Sequence, residues 1–229
     1  MLRTHTAQQL AVAYVRAKSL LIQMGYANEI SWQEQRRLSH IGETEFLRES
    51  AWVVLSSGMR ETVIRSKFDV ISRIFFNWTS SAIIVKNGTE CLARSLQVFN
   101  HRGKIRAILN ICQRVHQQGF VEVKRMLLSQ GVDYIRTMPY MGPVTSYHLA
   151  KNLGIDVVKP DRHLSRISER AGYSDPSDMC RQISQHVGDR LSVIDIVLWR
   201  SATLFPHDPL LLGSSRREGT MKAKINTHD

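Results

Sequence analysis

The sequence predicts an all-α protein. Stretch after stretch carries apolar residues at helical spacing. Glycines, prolines and capping residues punctuate them at intervals that suit short helices. The most distinctive segment, 127–166, reads as helix, tight turn, helix and loop. A chain of 229 residues makes one large or two small domains, ample for a packed core.

Taken in order, residues 6–24 form an apolar-rich helix in which Leu10, Val12, Ala13, Leu20, Leu21 and Met24 share one side, and Gly25 stops it. Ser31 followed by Glu34 has the form of a capping box, opening a short polar helix that runs to Leu38. Residues 44–55 are a helix carrying Phe46, Trp52, Val53 and Leu55. It leads into a turn at Gly58, after which Glu61 stands where a helix N-terminus favours negative charge. Residues 63–78 are strongly amphipathic, with Ile64, Phe68, Ile71, Ile74 and Phe75 on a face that reads as core. Asn87-Gly88 marks a turn, residues 89–99 a short helix, and a longer helix begins at Arg102. Residues 120–129 form the next helix, and Gly131 separates it from the helix–turn–helix segment. Three helical patterns follow Asp161, at 162–171, 175–186 and 192–204, with Ser174, Asp175, Pro176 and Ser177 as good starters for the second. The segment 207–229 is polar and basic and is expected to be disordered.

Charge narrows the function. There are 31 Lys+Arg against 20 Asp+Glu, a net charge of +11, which points to a polyanionic partner. The excess is concentrated around the helix–turn–helix segment, in Arg102, Lys104, Arg106, Arg114, Lys124, Arg125, Arg136, Lys151, Lys159, Arg162 and Arg166. Cations in the first turn of a helix oppose its dipole, so Arg102, Lys104 and Arg106 need an external anion such as DNA phosphate. The three cysteines, Cys91, Cys112 and Cys180, show no paired spacing, which argues against a disulfide framework or zinc site. No apolar run is long enough to span a bilayer and no signal-peptide core is visible, so a cytoplasmic or nucleoid-associated monomer is expected.

Within 127–166, Pro139 is expected to end one helix, Gly142 to supply the freedom for a sharp turn, and Pro143 to begin the second helix. Backbone N–H groups at such a helix start suit a phosphate. The sequence Met138-Pro139-Tyr140-Met141-Gly142-Pro143-Val144-Thr145-Ser146 is followed by a Gly/Pro-bounded loop, 154–160, and by Asp161-Arg162-His163-Leu164-Ser165-Arg166. Together these resemble the helix-hairpin-helix DNA glycosylases of the endonuclease III superfamily. The superfamily hairpin is roughly Leu-Pro-Gly-Val-Gly-x-x-Thr-Ala, and its catalytic motif is Asp-x-His-x-x-Arg. The resemblance covers 46–166 and the rest by layout.

That resemblance implies two helical lobes, 1–45 with 155–206 and 46–154, the latter carrying the hairpin at 127–153. A DNA-binding cleft lies between them, with Asp161 facing the hairpin. It implies double-stranded DNA as partner, contacted at Tyr140, Gly142, Val144, Thr145 and Ser146 of the hairpin, at Arg102, Lys104 and Arg106, and at His163 and Arg166. It implies neither cofactor nor metal, since three cysteines cannot hold the four-cysteine iron–sulfur cluster of many relatives. Val54-Leu55-Ser56-Ser57-Gly58-Met59-Arg60-Glu61 is similar to the element that fills the gap left by an extruded base. Gly58 holds the plug position without a side chain, so Met59 and Arg60 are the wedge candidates; an ordinary turn is the competing reading.

Cleaving a base from deoxyribose develops a sugar cation, so a fixed carboxylate that also orients water is required. Asp161 is the candidate; its alternative role is a plain helix N-cap. Relatives that also cut the strand carry a lysine where this chain has Val144, which implies a monofunctional glycosylase leaving an abasic site. Lys159 either reaches the sugar or serves phosphate and solvent. The low aromatic content, 7%, with no aromatic cluster flanking the hairpin, argues against a cationic alkylated purine and leaves oxidised bases or modified pyrimidines, including those of phage genomes. A non-catalytic DNA-binding protein using the same hairpin is the competing class.

Overall fold

The computed structural model describes residues 5–208. Among these every regular element is helical: α1 (Ala7–Leu21), α2 (Ala27–Gln35), α3 (Glu43–Ser56), α4 (Glu61–Ile74), α5 (Ser81–Lys86), α6 (Gly88–Val98), α7 (Arg102–Gln118), α8 (Phe120–Gln130), α9 (Val132–Arg136), α10 (Thr145–Asn152), α11 (Arg162–Arg170), α12 (Pro176–Val187) and α13 (Leu191–Leu204). The all-α class is therefore the observed one. No helix among the described residues is long and apolar enough to cross a membrane. The tail expected to be disordered lies, from residue 209 onward, outside the described residues.

The apolar residues gather into two cores. One is built from Leu38 to Leu153, with Phe46, Phe75, Trp78 and Ile105 at its centre. The other joins Leu10–Ile30 to Val158–Ala202, so the two ends of the described chain share it. The segment 153–158 passes from one core to the other, and Gly154 makes the crossing tight. A Cβ there would come within 2.7 Å of the Arg37 amide nitrogen, and its φ of +87° already favours glycine. Arg190 locks the crossing by donating to the Gly154 and Arg36 carbonyls at 2.9 and 2.7 Å.

Local chemistry explains most boundaries, and four elements depart from expectation. Thr6 and Gln9 form a capping box that starts α1, but its buried face is Leu10, Ala13, Tyr14, Ala17 and Leu21. Val12 and Met24, expected on that face, are exposed: Val12 lies two residues past Leu10, about 200° around the helix, and Met24 sits in the π-turn at 22–26, where Gly25 departs from helical geometry. Ser31 lies inside α2, which begins at Ala27; its hydroxyl accepts from Gln35 instead of capping a helix start. Helix α4 stops at Ile74 rather than running to Trp78. Phe76, Asn77 and Trp78 adopt positive φ, a left-handed turn costing about 1–2 kcal/mol per residue. Burial offsets that cost: the Trp78 ring stacks on Phe75 at 4.8 Å and its Nε1–H donates to Ser72. Finally, α5 had no expectation from sequence; its six residues are too few for a periodic signal.

Candidate nucleic-acid interface and cleft

Three segments distant in sequence meet at one surface. The first is the turn after α3, where Ser57 N–H bonds to the Val53 carbonyl, Gly58 takes φ +67° and Met59 N–H returns to Ser56. The second is the start of α7. The third is the hairpin between α9 and α10. Ser57, Val144 and Thr145 border both the groove along the hairpin and a larger cleft, so the two are continuous.

The hairpin differs from expectation in detail. Helix α9 ends at Arg136, three residues before Pro139, and α10 begins at Thr145, two after Pro143. Gly142 is not the left-handed residue; Tyr140 is, at φ +63°. Its conformation is held by Thr145 Oγ1, which donates to the Tyr140 carbonyl at 2.9 Å, and by edge contact of its ring with His101. Gly103 makes room for the phenol, since a Cβ there would sit 2.7 Å from the tyrosine oxygen. The substitution Tyr140→Gly is therefore expected to raise stability by up to about 1 kcal/mol, less whatever the ring contributes against His101. Thermal unfolding reads this directly; a clear fall in Tm would show that the ring contact outweighs the strain.

Gly142, Val144 and the wall residue Thr145 lie at the surface, with Tyr140 43% exposed beside them. Ser146 does not. Its side chain is fully buried, its hydroxyl has no hydrogen-bond partner, and its N–H is spent on the Gly142 carbonyl, so it cannot touch DNA as expected. Lys104 is a second correction. It is 3% exposed and its Nζ donates to the carbonyls of Leu55 (2.7 Å) and Ser57. It caps the C-terminal end of α3, and burial pulls its pKa down. Arg102 and Arg106 are exposed and have no acidic partner among the described residues. Alanine at either is expected to reduce the slope of log K against log salt for duplex binding by about 0.9. Lys104→Ala should leave the slope alone and cost about 1–3 kcal/mol in urea unfolding, because two carbonyls lose their donor.

The cleft has a volume of about 800 Å³. Gly58 and Met59 are on its rim, Met59 40% exposed, and Arg60, the exposed residue that opens α4, follows directly. Trp32, Trp52, Trp199 and Phe68 all border the cavity. Each carries an arginine on its ring: Arg36 on Trp32 and Arg200 on Trp199 at 4.8 Å, Arg65 on Trp52 and Arg48 on Phe68 at 5.6 Å. Low overall aromatic content thus coexists with an aromatic cavity, because three of the four tryptophans converge here from distant positions. Glu49 was also missed. It is buried at the cavity wall and takes hydrogen bonds from Asn152 and Arg48, and burial raises its pKa against the pull of the Arg48 and Arg36 charges and the Asn152 hydrogen bond.

The far wall is the loop before α11. Asp161 caps this helix, its Oδ1 accepting from the His163 and Leu164 amides at 2.9 and 3.2 Å. Its Oδ2 lies 3.5 Å from Lys159 Nζ. The residue of this pair that borders the cavity is Lys159, not Asp161, which corrects the expectation that the carboxylate faces the hairpin directly. Asp195 on α13 fixes the loop from behind: it accepts the Lys159 N–H at 2.7 Å and pairs with the buried Lys151 of α10. Burial, aided by Lys159 and Lys151, drives the His148 imidazole well below its usual pKa, so this cavity residue is neutral at pH 7. His163 packs edge-on against Trp199, and Arg166 is exposed one turn further along α11. No cluster of metal-ligating side chains occurs among the described residues.

No family model matches the chain, and no curated protein or solved structure is significantly similar to it. Its functional reading therefore rests on the geometry of the cleft, the hairpin and the loop.

Proposed function

We propose that the protein is a DNA glycosylase that hydrolyses the N-glycosidic bond of a flipped-out, modified or damaged base. The observation that carries this reading is the setting of Asp161. One carboxylate oxygen is clamped by two helix amides and the other is directed at Lys159 on the wall of an aromatic cavity. Duplex DNA lies along the hairpin surface, with backbone N–H groups of the turn and Arg102 and Arg106 on phosphate. Met59 enters the gap that the extruded nucleotide leaves. The base enters the cavity, where ring faces and Glu49 read it. Asp161 then supports the developing charge on the sugar and orients the water that attacks C1′, giving an abasic site and the free base.

The alternative is a DNA-binding protein in which Asp161 only caps α11, a role its two amide bonds already perform. Incubation with DNAs containing oxidised bases, alkylated purines and naturally hypermodified pyrimidines, followed by mass spectrometry of released bases, separates the two. Release of one class identifies the substrate. Duplex binding without release from any of them favours the binding protein.

A further inference from the structure

The four rings at the cavity share a further feature: the arginine on each is itself paired with a glutamate. Arg200, on Trp199, donates to both oxygens of Glu29 at 2.8 and 2.9 Å, and Arg36, on Trp32, donates to Glu45 at 2.7 Å. Arg48, on Phe68, donates to Glu49 at 3.0 Å, and Arg65, on Trp52, pairs with Glu61. The two lysines at the wall are balanced as well, Lys151 by Asp195 and Lys159 by Asp161. Asp69, which is exposed, borders the cavity without an ion pair among the described residues. The wall is therefore close to neutral but dense in hydrogen-bonding groups, since a guanidinium and a carboxylate each have more sites than one pairing uses.

That arrangement selects by charge. A cationic base would be drawn to the rings, but guanidinium charges already sit on them and would repel it. An anionic base would meet cations whose charge is already compensated, and would lose its hydration without a free counter-charge. Size adds a second criterion. The cavity, at about 800 Å³, is on the scale of pockets that hold drug-sized ligands, and a bare pyrimidine or purine is much smaller. We infer that the base taken into this cavity is uncharged and carries a bulky, hydroxyl-rich substituent. Hydroxyls both donate and accept, so they match the spare sites of the paired guanidinium and carboxylate groups, while the rings cover the flat apolar parts. The inference rests on the glycosylase reading for a base that leaves the duplex, and adds to it the charge and size of that base.

The test uses the full chain and four duplexes that differ at one base: 5-hydroxymethylcytosine, its glucosylated form, 5-carboxycytosine as the anion and 7-methylguanine as the cation. Single-turnover base release and duplex binding are measured on each. Release of the glucosylated base is expected to be at least about tenfold faster than release of the other three. Equal release of 5-hydroxymethylcytosine overturns the inference on size, and faster release of the anion or the cation overturns it on charge. Glu29→Gln leaves Arg200 without its counter-charge and is expected to raise release of 5-carboxycytosine relative to the glucosylated base. Glu61→Gln makes the same change at a more exposed pair, so one folded variant remains where the other does not fold. An unchanged ratio in the folded variants overturns the charge argument. Where no duplex releases its base, binding decides. Tighter binding of the glucosylated duplex keeps the inference and removes the glycosylase reading, whereas equal binding of all four removes both.

Discussion

Asp161→Asn is expected to lower base release by at least about 10²–10³-fold, the scale on which removal of one preorganised electrostatic contact acts on a charged transition state. The substitution is clean because asparagine is as good an N-cap as aspartate. Its side-chain oxygen can accept the same bonds from the His163 and Leu164 amides, so unfolding stability should stay within about 0.5 kcal/mol of wild type. What disappears is the negative charge that the glycosylase proposal sets beside the sugar, and with it the charged partner of Lys159. Asp161→Ala makes the useful contrast: it loses the charge and also costs about 1 kcal/mol of helix capping. Single-turnover base release and urea unfolding on all three proteins distinguish the roles. If Asp161→Asn releases base at the wild-type rate, the residue is a cap and the catalytic assignment is wrong.

The second large effect concerns stability. Asp195→Asn is expected to cost about 3–5 kcal/mol, because it leaves the Lys151 ammonium buried without its counter-charge. Lys151 and Asp195 are 5% and 1% exposed, and the pair joins α10 to α13 across the two cores. Asparagine can still accept the Lys159 N–H, so the measured loss reports mainly the uncompensated charge. Replacing both partners, Lys151→Met with Asp195→Leu, should recover most of the loss, since paired burial of two charges gives little net stability over well-packed apolar side chains. The double variant would also free the loop that carries Lys159 and Asp161, so base release should fall in it even where folding is restored. A cost below about 1 kcal/mol for Asp195→Asn would mean that water reaches the pair in solution.

Capping and punctuation were legible from the chain alone. The start of α12 follows Asp175 and Pro176, which supply a side-chain cap and a proline in the first turn, and its end is Gly188 in the left-handed conformation. The amphipathic face of α4 was equally plain, since Ile64, Phe68, Ile71 and Ile74 recur at one period and are all buried. Boundaries failed where tertiary contact overrode local preference. Trp78 leaves the helix because its indole stacks in the core, and Ser31 is absorbed into α2 despite its capping signature.

Lys104 shows the limit for charge. Its neighbours Arg102 and Arg106 carry the same sign in the same turn, and nothing local distinguishes a lysine that reaches solvent from one that reaches the Leu55 carbonyl 49 residues away. The direction of its side chain depends on where α3 ends against α7. Tyr140 shows the limit for backbone. Its positive φ is sustained by Thr145, His101 and the missing Cβ of Gly103, two of which lie almost forty residues upstream.

By itself, then, the sequence determined an all-helical chain, a break between two short helices at the Pro139–Pro143 segment, and an aspartate at the head of a helix. Each of these is set by residues within a few positions of one another, through helical periodicity, capping and turn chemistry. The tertiary structure decided what the candidate site contains. Trp32, Trp52 and Trp199 meet around one cavity only because the two cores place α2, α3 and α13 around it. Lys159 rather than Asp161 borders that cavity because Asp195, on a helix thirty-odd residues later, holds the loop in place. Convergence of this kind comes from packing apolar faces against each other, and no spacing along the chain records it.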